Sequence, residues 1–176
     1  MRGASVTLVS GPVNIEPFIG IDVVNVKSAA DMAEAVAARS EASDIVVMCS
    51  AVADYTPTHY SAQKVKKSDG ELSIPLARTT DILHTLGMKK KEGQMLVGFS
   101  METENLIENS RKKLSKKNAD IICANTIADG GATGFAVDTN QVTLITETEV
   151  ITLPLCTKEE TADLILSHIV ELQKEK

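Results

Sequence analysis

The chain has 176 residues, 43% of them apolar and 24% charged. That is the size of a single domain able to bury about 70% of its unfolded surface, and too apolar for a disordered chain. A formal net charge of -6 argues against a general nucleic-acid binder, which presents a basic face. No apolar run approaches the roughly 20 residues of a bilayer span, and the N-terminus lacks a signal-peptide profile, so a cytoplasmic protein with no membrane segment is expected.

Taken in chain order, Val6-Thr7-Leu8-Val9 is a short β-rich run stopped by Ser10-Gly11-Pro12, and Ile21 to Val26 reads as a second strand. Ser28-Ala29-Ala30-Asp31 fits an acidic form of the capping box, opening an alanine-rich helix to about Arg39 that packs through Met32, Ala35 and Val36. Asp44 to Ala51 is almost continuously apolar, as expected of a central parallel strand covered on both sides. Gln94 to Ser100 and Asp120 to Ala124 repeat that character, with helices expected near Asp81 to Lys89 and Glu104 to Lys117. Residues 54 to 80 form the longest irregular region, and long loops in compact domains often serve function.

The last part of the chain changes style. Gln141 to Thr146 and Glu149 to Leu155 are closely spaced strands, so a hairpin is expected. A final helix from about Lys158 to Leu172 follows Thr157 as its N-cap. The alternation of strands and helices predicts one α/β domain over residues 1–176: a Rossmann-like, open, mainly parallel sheet flanked by helices, with a C-terminal antiparallel hairpin. Cys49, Cys123 and Cys156 form no C-x-x-C pair. Two of them lie in apolar runs and read as buried thiols of a reducing compartment. His59, His84 and His168 share no metal-ligand spacing, which leaves the metal ligands unknown.

In open parallel sheets, ligands bind beyond the carboxyl ends of the strands. Small or polar residues follow each apolar strand here, at Ser10-Gly11-Pro12, Ala51 to Tyr55, Phe99 to Thr103 and Asn125. Asp54 could accept hydrogen bonds from a ribose or hold a cation, or could simply cap a helix or close a turn. In an extended Lys64-Val65-Lys66-Lys67 segment, Lys64 and Lys66 would share a face suited to a triphosphate, although lysines also guard solvated edges. Lys113 and Lys117 are one helical turn apart and could reach one phosphate group, or could complement the helix dipole. Lys89-Lys90-Lys91 reads as a solvated turn, and Gly130 to Gly134 as a loop. Neither a G-x-G-x-x-G nor a Walker motif occurs.

Together, Val6 to Pro12, Ala51-Val52-Ala53-Asp54-Tyr55, Lys64-Val65-Lys66-Lys67, Asp81-Ile82-Leu83, Val97-Gly98-Phe99-Ser100-Met101-Glu102-Thr103 and Ala124-Asn125 stand in the order and spacing of a known family. The chain resembles phosphopantothenoylcysteine synthetase (phosphopantothenate–cysteine ligase), the ligase half of the bacterial bifunctional coenzyme A enzyme. The resemblance implies that CTP activates 4'-phosphopantothenate to an acyl-cytidylate, which cysteine then attacks, with Mg²⁺ and lysines offsetting phosphate charge. It implies that Lys64 supports activation at the α-phosphate and that Asp54 meets the ribose or base. Phe99, Lys113 and Lys117 match further cytidine and triphosphate contacts. Met48, Cys49 and Ser50, and Thr80 with Asp81, Ile82 and Leu83, match backbone segments around the nucleotide. Thr79-Thr80 stand where the family usually has Asn-Pro or Thr-Pro.

The resemblance also implies a homodimer in which the lysine segment reaches the partner's site. FMN would belong only to an upstream decarboxylase domain. The family normally begins with another strand, a glycine-rich turn and an asparagine-bearing segment, while this chain starts at Met1-Arg2-Gly3-Ala4. Of a fragment of a longer protein and a natural truncation, the fragment is therefore expected. The competing reading is a non-catalytic partner or dimerisation subunit that retains the fold.

Overall fold

The computed structural model describes residues 2–15, 19–66, 73–126 and 137–175. In chain order these form β1 (Thr7–Ser10), β2 (Asp22–Asn25), α1 (Ala29–Ser40), β3 (Ile45–Met48), β4 (Tyr55–Pro57) and β5 (Leu76–Arg78). Then come α2 (Ile82–Lys89), β6 (Met95–Glu102), α3 (Leu106–Lys117) and β7 (Ile121–Thr126). The chain closes with β8 (Thr139–Asn140), β9 (Thr143–Ile145), β10 (Val150–Thr152), β11 (Cys156–Thr157) and α4 (Lys158–Glu175). Two compact units emerge, Met1–Val36 with Ala51–Asp81 and Ala37–Ser50 with Ile82–Lys176, the division falling inside α1.

In the first unit β1 and β2 pair in parallel, from Thr7 opposite Asp22 to Ser10 opposite Asn25. Helix α1 opens on the expected capping box. The Asp31 amide donates to Ser28 Oγ at 3.1 Å, and the Ser28 amide donates back to Asp31 Oδ2 at 2.9 Å. Hydrogen bonding to the carboxylate, from the Ser28 side chain foremost and then from the Ser28 and Lys27 amides, holds the Asp31 carboxyl below the usual carboxylate range. The region 54–80, expected to be irregular, contains an antiparallel pair instead: β4 and β5 align Tyr55 with Arg78 and Pro57 with Leu76. Strands of three residues give too little alternation to read from sequence, and Pro57 is tolerated because it lies on an edge.

The second unit holds a five-stranded sheet in the order β10-β9-β7-β6-β3. Strands β3, β6 and β7 run parallel, while β9 and β10 form the predicted antiparallel hairpin beside β7. Successive residues of a strand face opposite sides, and the two sides are packed differently. Met95, Val97, Ile121 and Cys123 join Val142, Leu144 and Leu153 beneath Ile165 and Ile169 of α4. Ile122, Ala124 and Ile145 pack with Leu114 of α3, with Leu83 and Leu106 against them. Burying these side chains is the main stabilising contribution, about 1.5–3 kcal/mol for each large one.

Two fastenings set where α2 and α3 lie. A Cβ at Gly98 would come 2.5 Å from Leu83 Cδ2, so α2 rests on the bare backbone of β6. Gly87 on α2 is closed in by the carbonyl of Lys117 on α3, and Asn118 Nδ2 donates to Gly87 O at 2.8 Å. Asn118 caps α3 at φ 49°, a left-handed conformation that asparagine tolerates. A pair of very short strands, β8 with β11, aligns Asn140 with Cys156 ahead of α4.

Three expectations need correction. β3 pairs with β6 at one side of the five-stranded sheet and is only half-buried, with Val47 40% exposed, so its apolar run marks strand propensity rather than full cover. It ends at Met48, and Cys49, read as buried, is exposed beyond it, whereas Cys123 is buried as expected. Lys90 is no solvated turn residue: its Nζ lies 3.0 Å from Asp120 Oδ1, with the two side chains 14% and 10% exposed. Among the described residues no helix is long and apolar enough to cross a membrane.

Candidate functional site

Among the described residues, the carboxyl end of β6 carries the most developed polar cluster. Ser100 and Glu102 are two residues apart on one strand and so share its α3-facing side. Asn109 and Lys113 are four apart on α3 and share the face that meets them. Lys113 Nζ lies 2.6 Å from Glu102 Oε1 and donates to Ser100 Oγ at 2.7 Å, while the Ser100 hydroxyl donates to Glu102 Oε1 at 2.6 Å. Asn109 Nδ2 donates to the other carboxylate oxygen at 3.2 Å and to Glu104 O at 3.0 Å.

Burial alone would push the Glu102 carboxyl up. The hydrogen bonds from Lys113 and Ser100, the Lys113 charge and the Asn109 bond together outweigh it, so the group is held below its ordinary value. The result is a fixed carboxylate and a fixed ammonium at a strand end. Sequence reasoning named Lys113, included Ser100 and Glu102 only as part of the strand-end stretch Phe99 to Thr103 without assigning them a role, and missed Asn109. The i, i+2 spacing on a strand read against the i, i+4 spacing on the next helix is the signal that finds them.

The other predicted residues of the second unit lie on or beside β3, β6, α3 and α2. Met48 ends β3, and Cys49 and Ser50 lie exposed just past it. Phe99 is 36% exposed on β6, opposite Cys123 of β7, and Asn125 lies buried opposite Met101. Lys117 is half-buried at the end of α3, one turn beyond Lys113. Ile82 is buried in the first turn of α2, and Leu83 packs over Gly98.

In the first unit, Asp54 is exposed, and its carbonyl accepts from the Thr79 amide at 2.9 Å while Thr79 Oγ1 donates to Ala53 O at 2.6 Å. The β4–β5 pairing thus sets Asp54 beside the segment that leads into Thr80 and Asp81. Lys64 is exposed and outside any regular element, so the alternation expected of an extended strand does not apply to it. Lys67 and Gly130 to Gly134 lie outside the described residues. Among the described residues, no three His, Cys, Asp or Glu side chains gather to hold a metal ion. A magnesium ion that is held through substrate phosphates with one or two carboxylates needs no such cluster.

Residues 1–172 match the DNA/pantothenate metabolism flavoprotein C-terminal domain. The chain belongs to that family. It is 46% identical over 175 residues to the coenzyme A biosynthesis bifunctional protein CoaBC of Bacillus subtilis (strain 168), covering 98% of this chain and 43% of that protein. It is 44% identical over 172 residues to a cysteine/cysteine sulfinic acid decarboxylase of an unknown prokaryotic organism, covering 97% of this chain and 48% of that protein. The chain therefore spans about half the length of the curated relatives it matches.

Among solved structures, the C-terminal domain of CoaBC superposes with a TM-score of 0.81 at 41% identity, covering 99% of this chain and 77% of that one. The Cab2 mutant H337A in complex with phosphopantothenate-cysteine shares the fold, with a TM-score of 0.65 at 15% identity over 88% of this chain and 53% of that one. The resemblance carried by the motifs and the fold class read from the alternation of strands and helices are both borne out.

Proposed function

We propose that the chain is the ligase portion of a coenzyme A biosynthesis enzyme, joining 4'-phosphopantothenate to cysteine at the expense of CTP. The observation that carries this reading is that nearly all of this chain corresponds to part of the C-terminal domain of CoaBC, in sequence and in fold. The Lys113 cluster supports it, since a fixed cation at a strand end is what a triphosphate needs. A carboxylate is a poor electrophile until one of its oxygens becomes part of a leaving group. The substrate carboxylate attacks the α-phosphorus of CTP and pyrophosphate departs, leaving an acyl-cytidylate. The cysteine amine then attacks the acyl carbon, the bond to CMP breaks, and the nitrogen gives up a proton.

In this reading Lys64 offsets charge at the α-phosphate, and Asp54 accepts from the ribose or meets the base. Phe99, Lys113 and Lys117 contact the cytidine and its phosphates. The backbone of Met48 to Ser50, and of Thr80 to Leu83, reads the nucleotide. Mg²⁺ would arrive on the triphosphate and supply charge neutralisation. FMN has no place in this portion, and the active form is a cytoplasmic homodimer.

Calorimetry of CTP binding, with mass spectrometry of the product formed from 4'-phosphopantothenate and cysteine, tests the proposal. Lys64→Ala is expected to lower turnover by about 10²-fold or more. No CTP-dependent heat in the intact natural polypeptide that contains residues 1–176 would sink the reading. CTP binding without product would favour the non-catalytic partner reading, and turnover would set that reading aside.

A further inference from the structure

Lys113 is a flexible side chain asked to meet a phosphate, and the structure does not leave it free. Its ammonium is bracketed at 2.6 Å by Glu102 Oε1 and at 2.7 Å by Ser100 Oγ. Glu102 is itself immobilised, for its two oxygens accept from Lys113, Ser100 and Asn109. The pair is unevenly exposed: the Lys113 side chain is 44% accessible and that of Glu102 only 12%. An ammonium has three N–H donors. Two are used inward, which leaves the third for a group arriving from outside.

We propose that Glu102 is the positioning residue for Lys113: with Ser100 it fixes the ammonium at the carboxyl end of β6 so that its remaining donor meets a phosphoryl oxygen of the nucleotide. This rests on the ligase reading given above. A charge already held in place needs no reorganisation as phosphate charge shifts during the reaction. The same carboxylate opposes the attraction of a triphosphate in the resting complex, because like charges repel at short range. Glu102 therefore favours turnover without strengthening nucleotide binding.

The test compares wild type, Glu102→Gln, Lys113→Ala and the double variant in the intact natural polypeptide, by CTP calorimetry and steady-state kinetics. Glu102→Gln is expected to lower kcat about tenfold while the Kd for CTP stays level or tightens. In the Lys113→Ala background the same change should alter kcat by less than about twofold, because its effect passes through the lysine. Ser100→Ala, a smaller perturbation, should shift kcat in the same direction with less effect and guards against a folding defect in Glu102→Gln. An unchanged kcat in Glu102→Gln, or a full loss repeated in the Lys113→Ala background, would overturn the inference while wild-type CTP binding keeps the ligase reading. Wild-type protein that bound no CTP would remove both.

Discussion

Gly87 has no room for even a methyl group, since a Cβ there would overlap the Lys117 carbonyl oxygen, a backbone atom that cannot swing aside. Gly87→Ala should therefore force α2 and α3 apart and cost about 1–3 kcal/mol in urea unfolding, despite alanine's better helix propensity. Glu102 gives a pH-dependent prediction. Its carboxyl in the folded state is held below the ordinary 4.5, burial being outweighed by the Lys113 and Ser100 bonds. Its stabilising contribution is thus present above the unfolded value and lost as pH falls through the lowered folded one. Wild type should be more stable than Glu102→Gln at pH 7, and the gap should close in acid, as denaturant titrations at several pH values would show. At this scale the sequence revealed single charges but not their partners. Lys113 was legible as a cation near a helix end, whereas its pairing with Glu102 depends on which face of β6 meets α3. Lys90 misled for the same reason: three lysines in a row suggest solvent until Asp120 is folded beneath one of them.

The helices were the most legible elements, because their ends carry local chemistry. Thr157 and Glu160 form a reciprocal cap, the Thr157 amide donating to Glu160 Oε2 at 2.9 Å and the Glu160 amide to Thr157 Oγ1 at 3.2 Å. Thr157→Ala should cost about 1 kcal/mol, read as a lowered urea midpoint with unchanged slope, since α4 lays Ile165 and Ile169 over one side of the sheet. Strands were legible where runs were long and apolar, as in β6 and β7. The β4–β5 and β8–β11 pairs were not, because two or three residues hold no period and their partners lie far away in the chain. The position of β3 within its sheet escaped for a related reason: an apolar run says that a strand forms, not how many neighbours it has.

Among the described residues, the side chains with essentially no exposure, such as Met95, Val97, Ile121, Ile122, Cys123, Leu144, Ile145 and Ile169, belong to the second unit. Hydrogen exchange should accordingly be slowest at the amides of β6, β7 and β9. The Cys123 thiol, pushed up to about 12 chiefly by burial, should resist alkylation until the protein unfolds. The alternation of elements made this parallel-sheet architecture readable in advance, while the division into two units had no marker in composition or linker. The five-stranded sheet also sets unequal terms for change along β6. From Met95 to Val97 a new side chain is judged on fit alone, and from Phe99 to Glu102 on what the strand end must hold. Gly98, where the halves meet, answers to both demands. A side chain there would press on the Leu83 methyl groups, so it is admitted only where Leu83 gives way and the seat of α2 on β6 shifts with it.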